Sequence, residues 1–329
     1  MNMLRSLPVF GILAVMTPPA LMSQEFNKSG RTAFQFLKIG VGARQAALGE
    51  ASIATARDIN SVFWDPAGLS GITTAEASFS YARWFAGMNF AAGAVGFRWN
   101  DIGTVGLSYA SLNYGQIQEA LVTVPSGSSD TRTGNTVTGG DLMLGLSFSR
   151  QFTEMLSIGA TVKYLQEKLF VYRARILAYD VGTSYKVGYK GMYIAMSAQN
   201  FGPSVKFLDQ SDREEGYDIP LVFRIGMSAN LMGADDAFIQ TGAVHRIVLS
   251  VDAIHTNDFG DRLHVGGEYW WGDVLALRAG YRFNYDEGNL SLGFGVKQNF
   301  SGSDLRLDYA YVRYQYLDSP HRLTLSLAF

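Results

Sequence analysis

The chain has 329 residues, of which 47% are apolar, 13% aromatic and 17% charged, with 27 basic side chains against 29 acidic ones. That apolar mass excludes a disordered chain. A net charge of −2 with no basic block argues against a nucleic-acid binder. No cysteine is present, and the histidines at 245, 255, 264 and 321 never fall close together, so no disulfide, thiolate site, metal or cofactor is expected.

In chain order, Arg5 supplies a positive start, Leu7 to Met22 is mostly apolar, and the small Ser23 precedes Gln24. This pattern predicts a signal peptide over residues 1–23, cleaved on export. Residues 24–72 then differ from everything after them. Gly42 to Ala56 is rich in small residues and reads as helical, Asp58 to Phe63 as a further short turn, and Asp65-Pro66-Ala67-Gly68 as a stop. After residue 23 there is no apolar run of about 18 residues, which disfavours a helical membrane protein.

From about residue 75 the hydrophobic period becomes two. Leu142, Leu144, Leu146 and Phe148 alternate with Met143, Gly145 and Ser147, and the pattern recurs to Leu323–Phe329 in about fourteen segments. Between the apolar positions sit Arg98, Lys163, Asp180, Arg224, Asp252, His264, Glu268, Arg278, Arg282, Lys297, Arg306 and Asp308. A soluble sandwich also alternates. Three features favour a membrane barrel: the export signal, aromatics at segment ends (Trp99, Tyr164, Tyr185, Trp270, Trp271, Phe283, Tyr311), and a final strand HRLTLSLAF ending on Phe329. The expected fold is therefore all-β: a transmembrane antiparallel β-barrel of about fourteen strands over residues 73–329, with a short, partly helical N-terminal plug over 24–72. Lumen charges are expected at Arg98, Lys163, Arg224, Asp252, Glu268, Arg278 and Arg282. Arg44, Arg57 and Asp58 of the plug are expected to pair with such groups, shielded from lipid.

Loop lengths set the orientation. Short joins near Asn100–Gly103, Arg150–Glu154, Lys186–Lys190 and Gly272–Asp273 share one parity, and the long segments Gly115–Gly140 and Asn200–Asp218 share the other. Short turns are expected in the periplasm and long loops outside. Residues 232–244 break the rule, either as a miscounted strand or as a periplasmic feature. Leu121, Val122, Val124, Phe207, Leu208, Tyr314 and Tyr316 fall in the external loops and are candidate partner contacts.

The stretch 36–71, FLKIGVGARQAALGEASIATARDINSVFWDPAGLSG, resembles the N-terminal segment of the PorV/PorQ family, related to the FadL-like outer-membrane barrels. The resemblance rests on Phe36-Leu37, Gly42-Ala43-Arg44, the stretch to Gly49, Asp58, Trp64 and Pro66-Ala67-Gly68-Leu69. Asp65 stands where the family usually carries Asn, and both cap turns through a side-chain oxygen. The resemblance implies a Gram-negative outer-membrane component of type IX protein secretion, either a cargo shuttle or part of the attachment complex. Its implied partners are membrane lipid and lipopolysaccharide, translocon or attachment-complex subunits, and the C-terminal signal domains of cargo. The alternative is a FadL-like channel for hydrophobic small molecules, which predicts an apolar lumen pocket beside the plug and a lateral opening through a kinked strand. Gly40, Gly42 and Gly49 lack the order of a phosphate loop. His264 with Asp252, or His321, would be needed for a barrel hydrolase. No enzyme activity is expected.

Overall fold

The computed structural model describes residues 30, 32–120, 132–206 and 216–329. The signal-peptide reading and the proposed contacts Leu121, Val122, Val124, Phe207 and Leu208 lie outside the described residues. Fourteen strands make the wall: β1 Ala75–Arg83, β2 Asn89–Trp99, β3 Gly103–Ala120, β4 Arg132–Gln151, β5 Leu156–Leu169, β6 Tyr172–Lys186, β7 Tyr193–Phe201, β8 Val222–Gly233, β9 His245–Thr256, β10 Arg262–Trp271, β11 Leu275–Phe283, β12 Leu290–Phe300, β13 Ser303–Val312 and β14 His321–Ala328. Each pairs antiparallel with its sequence neighbours. The sheet closes where β14 meets β1, with Leu325 opposite Phe79. Closure leaves no unpaired edge, which is what lets strands cross a bilayer.

Burial along the strands is inverted relative to a soluble protein. Leu277 is 60% exposed while the adjacent Arg278 is 3% exposed, and Leu307 is 48% exposed beside a fully buried Asp308. Phe79, Val95, Leu107, Leu146, Leu292 and Leu325 lie on the same outward face. A sandwich would reverse this order, so the soluble alternative is excluded. Among the described residues no helix is long and apolar enough to cross a membrane.

The lower end of the barrel, where β1 starts and β14 finishes, carries short turns. The segment 232–244 leaves the strand count intact. There Ile239–Gln240 folds back parallel to Met232–Gly233, with Phe238 N–H donating to the Asn230 carbonyl. At the upper end much of the expected loop Gly115–Gly140 is strand. β3 and β4 continue as a hairpin beyond the rim, pairing Gln116 with Thr138 and Gln118 with Thr136. Thr-rich and Gly-rich composition suggested a loop, but Thr is a good strand residue when a partner strand lies opposite. Trp270, expected in an interface girdle, is 5% exposed and faces inward, flanked by Arg246 and Arg278.

Residues from about 33 to 72 fill the barrel interior. The helix is shorter than expected: α1 spans only Ala43–Ala47. Gly49 (φ 63°) and Glu50 (φ 64°) both enter the left-handed region, which ends it. Gly49 also lies against the backbone of Gly280 and Tyr281, leaving no room for a side chain. Two 3₁₀ turns follow, at Ile59–Phe63 and Pro66–Gly71. Asp58 and Asp65 cap them by accepting from the N–H groups of Asn60 (3.0 Å) and Ala67 (2.9 Å).

Candidate functional site

The plug divides the lumen. Below it, a chain of alternating charges ties it to the wall. Asp58 meets Arg306 (2.7 Å), Arg306 meets Asp308 (2.9 Å), Asp308 meets Arg278 (2.8 Å), Arg278 meets Glu268 (2.6 Å), and Glu268 meets Arg44 (2.8 Å). Both ends belong to the plug, and the four central groups come from β10, β11 and β13. Such buried groups are tolerated because each charge has opposite neighbours. Burial opposes ionisation of Asp58, but Arg306 and Arg44 outweigh it and hold the carboxyl below its ordinary value. Of the lumen charges open to the plug arginines, Arg44 takes Glu268 in a two-toothed contact, through Nε (2.9 Å) and Nη2 (2.8 Å). Arg57 instead lies over the Tyr193 ring at 4.1 Å.

Other lumen groups hold plug backbone. Asp252 accepts from Ser52 N–H (2.7 Å) and Ile53 N–H (3.0 Å), and Ser250 and Ser197 donate to Ala51 and Trp64 carbonyls. Trp64 is 2% exposed, and its indole N–H donates to the Val41 carbonyl at 3.0 Å. Asp65 is fully buried against Gly182 of β6. Burial pushes its carboxyl up to about 7, against the pull of the Ala67 N–H. Lys163 pairs with Asp180 (2.6 Å) and donates to Asn200 (2.9 Å). Arg98 departs from expectation: it keeps inward parity but sits exposed at the lower mouth, past the end of the plug. His264 stands opposite Asp252 in register, yet its Nε2 meets the Tyr285 hydroxyl (3.0 Å) while Asp252 serves the plug. That arrangement gives no acid–base pair.

Above the plug lies a cavity of about 690 Å³. Phe36, Ile39, Val41 and Trp64 of the plug form its floor, and Phe90, Leu112, Met143 and Ile254 line its wall. Trp84 and Phe85 of the β1–β2 loop, Phe259 and Tyr314 complete its rim, with Phe85 and Tyr314 edge-to-face at 4.8 Å. Tyr314, expected to project toward partners, is thus half-buried against the cavity; Tyr316 is 82% exposed. Four guanidinium groups, of Arg224, Arg262, Arg282 and Arg322, line this space together with the acids Glu50, Asp286 and Glu287. Arg282 pairs with Glu50 (3.3 Å) and donates to the Gly288 carbonyl. Arg322 donates to the Gly40 carbonyl (2.8 Å) and lies over Trp84, while its Nε has no partner. Arg224 lies over the Trp64 ring at 4.9 Å, and its Nε and Nη1 have no protein partner. Glu50 is the buried acid among them: burial disfavours its charge, but Arg282, His264, Arg224 and Arg322 hold it ionised, below the usual carboxylate range. At the entrance Lys38 pairs with Asp258, and its amine lies over Phe259; burial lowers the Lys38 pKa.

A second groove of about 520 Å³ runs along the outer wall across β6–β9, lined by the outward Val181, Met196, Phe223 and Ile225. It shares Arg224, Ile254 and Arg262 with the upper cavity. The β6–β7 register is interrupted here between Tyr179 and Val181, and Asp180 accepts the Asn200 N–H (2.8 Å). Such a bulge locally breaks a sheet ladder.

Sequence reasoning left Glu50, Arg322, Trp84, Phe85 and Tyr285 out of the site. Arg322 was findable, since it alternates with Leu323 as Thr324 does with Leu325. Trp84 and Phe85 carried no signal, because nothing local shows that a loop folds inward. Among the described residues no group of three His, Asp or Glu is placed to hold a metal ion.

The fold is similar to that of the toluene transporter TbuX of Ralstonia pickettii, with a TM-score of 0.56 and 12% identity over 88% of this chain and 97% of that one. It is also similar to the toluene transporter TodX of Pseudomonas putida (0.55, 12%, 88% and 97%) and to a FadL homologue of Pseudomonas aeruginosa (0.54, 12%, 88% and 98%). No protein-family model matches the chain, and no curated protein matches it. The likeness is one of fold. It supports the FadL-like barrel and gives nothing for the PorV/PorQ branch in particular.

Proposed function

We propose that the chain is an integral outer-membrane channel that takes up hydrophobic or amphipathic small molecules through the cavity above the plug. The observation that carries this reading is the cavity itself: about 690 Å³, with apolar side chains on floor and wall and Arg224 among its lining residues. A pocket of this size suits one small ligand. With Lys38 and Lys163 each paired, four arginines against Glu50, Asp286 and Glu287 leave a cation in excess, which favours a ligand with an anionic end and an apolar body. The structural likeness to two toluene transporters supports the class. The outer-wall groove that shares Arg224 and Ile254 with the cavity supplies a short route between lumen and lipid. Type IX secretion rests on the 36–71 motif alone, and the shape of the molecule favours the channel.

The test uses the purified barrel in detergent-free nanodiscs and follows the fluorescence of Trp64 and Trp84, which line the cavity. Dodecanoate, dodecanol and toluene are titrated in parallel. Saturable one-site quenching by at least one of them, strongest for dodecanoate, is expected. No saturable response to any of the three, together with capture of secretion subunits from solubilised membranes, would overturn the reading in favour of the secretion role.

A further inference from the structure

The charges below the plug are tied into ion pairs, whereas the outward face of one hairpin carries a cluster of cations that is not. Lys168 on β5 stands directly opposite Arg173 on β6, and Arg175 stands opposite Gln166. All three face outward. Their neighbours Glu167 (7% exposed) and Ala174 (1%) point into the lumen, where Glu167 accepts the Phe34 N–H at 2.6 Å. Arg175 donates to Gln166 (3.1 Å), and none of the three cations forms an ion pair among the described residues. Like charges opposite each other on paired strands are destabilising. Bulk water would relieve that, but these side chains lie between two apolar surfaces. Val162, Leu177 and Tyr179 form the lipid-facing belt just below them, and Phe170 and Val171 are exposed at the hairpin tip just above. The group lies at the upper edge of the belt, opposite the end where β14 finishes.

We propose that this hairpin clamps the phosphate of a phosphorylated glycolipid in the outer leaflet, the lipid A portion of lipopolysaccharide. The proposal rests on the outer-membrane placement above. A phosphate offers what the cluster lacks: concentrated negative charge with several acceptor oxygens, which guanidinium groups grip with two parallel hydrogen bonds. Acyl chains would lie along Leu177 and Tyr179, and the sugars would reach the aromatic tip.

The test is native mass spectrometry of the full-length barrel, released from nanodiscs after incubation with diphosphorylated lipid A, dephosphorylated lipid A or phosphatidylglycerol. Wild type is expected to retain diphosphorylated lipid A at least tenfold better than either other lipid. The triple variant K168Q/R173Q/R175Q is expected to lose that preference, and R173K/R175K to keep part of it. Heat-modifiable gel migration checks that the variants stay folded. Equal retention by wild type and triple variant, or equal retention of the dephosphorylated lipid or of phosphatidylglycerol by wild type, would overturn the proposal. Dodecanoate quenching on the same samples reports the channel reading separately, so a failed clamp and a failed channel give different results.

Discussion

The two halves of the lumen use the same side chains in opposite ways. Below the plug, three arginines and three carboxylates alternate from Asp58 to Arg44, and both ends of the chain are anchored on the plug. Above it, four arginines face Glu50, Asp286 and Glu287, and Arg224 keeps two nitrogen atoms without a protein partner. The lower half is matched charge for charge, so it holds. The upper half has an excess of cation beside an apolar wall, so it can bind. An arginine in the barrel is therefore structural or functional according to how many acids surround it.

The strongest way to break this comparison is to remove the centre of the lower chain. Arg278 bridges Glu268 and Asp308, and all three are buried. Arg278→Ala takes one of two cations from each of Glu268 and Asp308, which keep only Arg44 and Arg306, and losing one partner of a buried pair costs about 3–5 kcal/mol. The variant is expected to lose the heat-modifiable folded band in semi-native gels. A variant as heat-resistant as wild type would show that the chain is dispensable.

Asp65 gives the next effect, and its sign is fixed by burial. Its carboxyl titrates at about 7 in the folded protein and near an ordinary value when unfolded. Between roughly pH 4 and pH 7 the unfolded chain releases this proton while the folded one keeps it. Stability therefore falls with rising pH across that window and levels off above it, by up to about 4 kcal/mol. Asp65→Asn keeps the capping oxygen and has no proton to lose, so it should flatten the slope and match wild type at acid pH. Urea unfolding at pH 4.5 and pH 8 measures this directly. A slope unchanged in the Asn variant would assign the pH dependence to other groups.

Arg224→Gln tests the upper half. Losing a charge-assisted hydrogen bond costs about 1.5–3 kcal/mol, so dodecanoate affinity is expected to fall 10- to 100-fold while toluene affinity and melting temperature stay unchanged. An equal loss for both ligands would mean that Arg224 shapes the cavity rather than its charge.

The wall was legible in the sequence because period-two alternation reports directly which way each side chain faces. That is why Glu268, Arg278 and Asp252 could be read as inward, where the structure has them buried, with Glu268 one of several charges open to Arg44. Alternation does not report height along the strand, so Arg98 was put in the lumen when it lies at the open mouth. Nor does it say which inward charges touch. Asp252 was offered to arginines and to His264, and it serves two backbone N–H groups of a plug whose path depends on left-handed turns at Gly49 and Glu50. The cavity was the least legible part. It forms where four separate loops and the plug converge, and no local pattern encodes such a meeting.

Two tyrosines two residues apart sharpen the comparison at its finest grain. Tyr314 packs edge-to-face on Phe85 and lines the cavity, whereas Tyr316 is 82% exposed in the same loop. An edge-to-face aromatic pair contributes about 0.5–1.5 kcal/mol beyond the area it buries, and exposed substitutions usually stay within about 0.5 kcal/mol. Tyr314→Ser is therefore expected to weaken toluene and dodecanoate binding together by several-fold, because it removes wall rather than charge. Tyr316→Ser is expected to leave both affinities and the melting temperature unchanged. If Tyr316→Ser were the variant that weakened binding, the ligand would be entering over the outer surface of the loop, and the cavity would not be the site.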